Sequence, residues 1–159
     1  MQRPEIPTDL AEYAKRFVSM KQAEYRAPEK PIRNYGAVTT IVLHREGQFQ
    51  TELVISHPGS PEWPGEHRHP NVDSIEIEVY DCHGLTRNGE FVTKPDFVHE
   101  GRYFVHLSPN DFHGSKSNEN GISLLSCQKW LNGVEPSSVG TDWEGEPVHE
   151  AHRNLLEVK

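Results

Sequence analysis

The chain has 159 residues, enough for one domain of ordinary size, with 34% hydrophobic and 25% charged residues. It carries 16 Lys+Arg against 24 Asp+Glu, a formal charge of −8, and no basic cluster of the kind that displaces counterions from a nucleic acid. No apolar run is long enough to span a bilayer as a helix, and the opening MQRPEIPTDL shows no basic segment followed by an apolar one, so the expectation is a cytoplasmic protein without a secretory signal or membrane partner. Cys82 and Cys127 are too few for a disulfide scaffold and are expected to be reduced. Ten histidines are the unusual count.

Residues 1–34 read as an arm. Thr8 or Asp9 can cap a helix beginning at Leu10, whose apolar positions Leu10, Tyr13, Ala14, Phe17 and Val18 recur at helical spacing, the pattern reaching to about Tyr25. RAPEKPIRN then breaks it with two prolines. From Tyr35 to Trp130 the pattern turns to short strands. GAVTTIVLH and QFQTELVIS flank the turn REGQ, and SHPGSPEWPGEHRHPN is a Pro-rich loop. SIEIEVYD alternates strictly, LTRNGEFVT is a hairpin about Asn88-Gly89, GRYFVHL is a strand, SPNDFHG a turn and GISLLSCQKWL the last long strand. Residues 131–159 form a tail with turn composition, in which VHEAHRNLLEV can make a short helix. Short strands at this spacing suggest an all-β sandwich or barrel over residues 35–130.

The chemistry gathers in GEHRHPNVD. His67 and His69, at i and i+2, point the same way if extended and can reach one ion. His113 follows in a turn between two β runs. HRHPNVD, an alternating strand, an NG hairpin, a further strand and SPNDFHGSKSN together resemble the two motifs of the cupin superfamily, whose small barrels are of the RmlC-like kind. The resemblance covers residues 35–130. It implies an antiparallel β-barrel (a double-stranded β-helix, or jelly roll) with one divalent metal held inside by His67, His69 and His113.

The first motif departs from the family pattern. Position 73 is Asp and position 74 is Ser where the family has Glu, and the closing glycine is displaced to Gly84. In the second motif Pro109 stands four residues before His113 and Asn118 is one residue late. Strand parity places Asp73 inward with Ile75, Ile77 and Val79, and leaves Glu76 and Glu78 on the solvent face. Asp73 can ligate directly, bond to a ligating histidine, or leave the ion on three histidines. His106 is the further candidate for the cavity, and Thr51 and Ser123 are polar candidates on the barrel strands. Fe, Mn, Zn and Ni all suit such a donor set. The HxHxDH pattern of metallo-β-lactamase-type sites is absent.

Two functions follow. One is a small-molecule metalloenzyme, dioxygenase- or isomerase-like. The other is a non-catalytic cupin acting as a ligand-binding, sensory or assembly module. The resemblance also implies a homodimer.

Overall fold

The computed structural model describes residues 3–34, 38–57, 66–78, 84–115, 122–133 and 139–140. The C-terminal helix expected in VHEAHRNLLEV, the Pro-rich loop over 58–65, and Cys82, His83 and Asn118 lie outside the described residues. Helix α1 spans Thr8–Ser19. The strands are β1 (Ile32–Asn34), β2 (Val38–Glu46), β3 (Phe49–Ser56), β4 (His67–Arg68), β5 (Val72–Glu78), β6 (Leu85–Arg87), β7 (Glu90–Phe91), β8 (Phe97–His99), β9 (Arg102–Leu107), β10 (His113–Ser115), β11 (Ile122–Trp130) and β12 (Val139–Gly140). Among the described residues no helix is long and apolar enough to cross a membrane.

The strands form two antiparallel sheets, one ordered β1-β2-β3-β11-β5-β9-β8 and the other β12-β4-β10-β6-β7. From β3 onward the chain passes back and forth between them, so that β3-β11-β5-β9 in one sheet face β4-β10-β6-β7 in the other. This interleaving is jelly-roll topology, in agreement with the all-β, cupin-like class expected from the sequence. Among the described residues no ladder joins the two sheets.

The turns follow local chemistry. Asn88 and Gly89 both take positive φ, +53° and +83°, the two-residue turn whose twist matches its flanking strands, and Arg87 pairs with Glu90 across it. Gly47, at φ +55°, closes the β2–β3 hairpin.

The N-terminal segment belongs to the body of the fold. Leu10, Tyr13, Ala14 and Phe17 form a stripe no more than 2% exposed. Each large member stabilises the fold by about 1.5–3 kcal/mol through burial. The stripe packs on Ile75, Ile77, Phe104 and Cys127 of the large sheet. Tyr13 stacks on Phe49 at 4.8 Å and shares a 2.6 Å hydrogen bond with Thr51. Helix α1 ends at Ser19, earlier than the periodicity suggests, because Met20 and Lys21 are extended before a short turn at Gln22–Glu24. Neither Thr8 nor Asp9 is the cap residue: Pro7 holds that position, and the Asp9 carboxylate accepts instead from the Leu10 N–H at 2.9 Å.

Candidate metal centre

Residues paired across an antiparallel ladder share a face, so the registers sort the large sheet into two sides. Ile75 pairs with His106 and Cys127, and Cys127 with Thr51. All four therefore lie on the side covered by α1. Glu76 pairs with Val105 and Ser126, and Ser126 with Glu52, on the opposite side. There Val105 and Leu124 pack against Leu85 of the small sheet, so this second side is the interior between the sheets.

The histidines arrive from the small sheet. His113 opens β10 and pairs with His67 of β4 on one side and Arg87 of β6 on the other. Arg87 stands two residues from Leu85, which places His67 and His113 on the interior side. His69 follows β4 directly, and its carbonyl accepts from the Val72 N–H at 3.1 Å, which tightens the turn at Pro70-Asn71. The ring centroids lie 4.9 Å apart for His67–His69, 4.4 Å for His67–His113 and 5.2 Å for His69–His113. One ligand atom from each of the three lies within 4.8 Å of the others. Nδ1 of His113 is buried without a hydrogen-bond partner. Burial, and then the neighbouring His69, push the His113 ring down to about 3, against the opposing pull of the Asp111 carbonyl and charge, so the imidazole is neutral.

The turn before His113 is tightly held. The Asp111 carboxylate accepts from Arg3 twice, from Asn88 Nδ2 at 2.8 Å and from the Ser108 N–H at 2.7 Å. Burial works to raise its pKa, but these donors outweigh it and hold the carboxyl well below the usual range. Asn88 also accepts from the Phe112 N–H at 2.9 Å and donates its own N–H to the Phe112 carbonyl at 2.6 Å.

Asp73 and His106 are brought together, but away from the three histidines. The Asp73 carboxylate bonds to His106 Nε2 on the helix-covered side. Its register partner Lys129 reaches Asp9 of α1 on that same side. Of the expected site residues, the structure groups His67, His69 and His113 and pairs Asp73 with His106 separately from them. Asp73 does share a face with Ile75 and Ile77, but that face looks toward α1, not between the sheets. Thr51 is likewise buried beneath α1, bonded to Tyr13.

Glu76 is corrected in the opposite sense. It is 7% exposed, not solvated, and faces the interior. Ser74 and Ser126 donate to its Oε1 at 3.0 and 2.9 Å. Burial pushes its pKa up to about 7; the two hydroxyls oppose the shift, and Glu52 adds to it. The serines at 74 and 126, small hydroxyl residues on the same face as Glu76, were the available sign that this face holds partners for a carboxyl group. Cys127 is a packing residue as expected, buried, with its thiol pushed up to about 12.

No family model matches the chain, and no curated protein matches it. Among solved structures it is similar to KdgF from Halomonas sp., with 12% identity and a TM-score of 0.47, over 71% of this chain and 92% of that one. The jelly-roll assignment rests on the strand order above.

Proposed function

We propose that this chain is a cupin-type metalloprotein that holds one divalent ion on His67, His69 and His113 and acts on a small molecule between the two sheets. The observation that supports it is the convergence of three imidazoles from two paired strands and the following turn, with ligand atoms within 4.8 Å of one another. The donor set fits a metal. It is all nitrogen and includes a buried His113 Nδ1 without a hydrogen-bond partner. Three imidazoles suit Zn, Fe, Ni or Cu. Bound there, the ion would supply Lewis acidity or a water of lowered pKa.

The chain's own residues supply the rest. The hydrogen-bonded turn at Asp111 fixes the direction from which His113 enters. Glu76, on the interior side and titrating near neutrality, is the group suited to give or take a proton there. This reading favours the enzyme over the non-catalytic module.

Metal content tests the proposal. Protein exposed separately to Zn, Fe(II), Mn and Ni and then desalted should retain about one ion per chain of at least one of them. His67→Ala, His69→Ala and His113→Ala should each lose it, while His99→Ala should not. Equal occupancy in wild type and His113→Ala would remove the site.

A further inference from the structure

The N-terminal segment reaches across the fold to the turn that delivers His113. Arg3 Nη1 donates to Asp111 Oδ1 at 2.8 Å, and Nη2 donates to Asp111 Oδ2 at 2.9 Å and to the His106 carbonyl at 2.8 Å. A two-toothed guanidinium–carboxylate fork fixes direction as well as distance. It lands on a carboxylate whose side chain is 7% exposed and lies two residues before His113. The same carboxylate ties down the first residue of the turn through the Ser108 N–H and the β6–β7 hairpin through Asn88. The His106 carbonyl lies on the stretch of β9 that β8 does not reach, since β8 pairs only with residues 102–104. Arg3 and Arg87 take the place of the missing strand by donating to that carbonyl, at 2.8 and 3.0 Å. Arg3 thus joins the end of β9 and the start of β10 into one rigid corner.

We infer that Arg3 is a positioning residue for the metal centre: the N-terminal segment is a strap that presets the turn from which His113 reaches the ion. This rests on the metal reading above. Without Arg3, Asp111 keeps only neutral donors, the corner loses its link to β9, and His113 must be ordered at the moment of binding. The ordering cost then appears as lost affinity. Thermodynamic reciprocity requires the converse, that an ion on His113 steadies the N-terminal segment.

The test is calorimetric titration of Zn²⁺ into the metal-free full chain, for wild type, Arg3→Ala, Arg3→Lys, His113→Ala and His99→Ala. Arg3→Ala is expected to weaken Zn²⁺ binding about 10–100-fold, the usual loss when a group that orients a ligand is removed. Arg3→Lys should recover part of it, since one charged donor replaces a fork. In wild type, Zn²⁺ should slow amide hydrogen exchange over residues 4–10, and in Arg3→Ala it should not. Unchanged affinity in Arg3→Ala, alongside lost binding in His113→Ala, overturns the positioning role and leaves the metal site standing. Where wild type does not bind Zn²⁺, the titration uses whichever of Fe(II), Mn²⁺ and Ni²⁺ it retains, and failure to bind any of the four overturns both. If Arg3→Ala does not fold, Arg3→Lys and the wild-type exchange experiment still decide: no weakening in the first, or no Zn²⁺-dependent protection in the second, overturns the inference.

Discussion

The two sides of the large sheet are built from the same strands and do different work. The side under α1 carries the main core: Ile75, Ile77, Phe104 and Cys127 meet Leu10, Tyr13, Ala14 and Phe17, none more than 2% exposed. The side facing the small sheet has fewer large apolar groups, Val72, Val105, Leu107 and Leu124 with Leu85 opposite, and its buried positions include the polar Gln50, Ser74, Glu76 and Ser126. The difference shows how a small jelly roll can keep a polar interior. Burial against an external helix supplies the stability that the space between the sheets does not. That space is then free to hold histidines and a titratable carboxyl, groups that would weaken an ordinary core.

The largest effect that could break this division is loss of the helix contact. Phe17 is 1% exposed, stacks with Tyr25 at 5.0 Å and lies 6.3 Å from the His44 ring. Phe17→Ala should cost about 3–5 kcal/mol, as large-to-small changes in a packed core do. Urea unfolding with an unchanged slope would measure it. A loss below about 1 kcal/mol would mean that α1 is an accessory and that the fold is held from within.

The interior side should respond to pH rather than to volume. Folded, Glu76 keeps its proton up to about pH 7, against 4.5 for an ordinary glutamate. Between those values the folded state binds more protons than the unfolded state, so this group's contribution to stability falls as pH rises through the window and levels off above it. The difference corresponds to about 3 kcal/mol. Glu76→Gln keeps the shape and an oxygen for Ser74 and Ser126 but removes the charge. It should match wild type near pH 4 and exceed its stability by about that amount at pH 8. Parallel stability–pH curves for the two proteins would show that Glu76 is solvated after all.

Much of this was legible in the sequence, and the exceptions share a cause. The NG turn, the alternating strand, the helical stripe from Leu10 to Phe17 and the His67/His69/His113 grouping are all local patterns or spacings, and each is found where it was read. Parity along SIEIE correctly sorted Asp73, Ile75 and Ile77 from Glu76, but it could not say which side was inside. An alternating strand has one apolar face, and the ordinary assumption turns that face to the sheet sandwich. Here α1 takes it, so Asp73 went to the helix and Glu76 to the interior. Arg3 was beyond reach for a different reason: its partner Asp111 is 108 residues away, and nothing in either neighbourhood marks the pair.

Asp73 gives the smallest expected effect on the site and the sharpest test of the two sides. A carboxylate three residues before Glu76 and four after His69 looks, in sequence, like part of the metal centre. In the fold its partner is His106, 1% exposed, whose Nδ1 is already buried without a hydrogen bond. Asp73→Ala leaves both ring nitrogens of a buried imidazole unsatisfied and should cost about 1–3 kcal/mol of stability. The sheet lies between this pair and the three histidines, so Zn²⁺ affinity should stay within about twofold of wild type, well short of the roughly 10–100-fold loss expected had Asp73 oriented a ligand. Thermal unfolding and calorimetric Zn²⁺ titration on the same preparation measure the two quantities independently. A tenfold loss of affinity with undiminished stability would put Asp73 back among the histidines and reverse the assignment of the two sides.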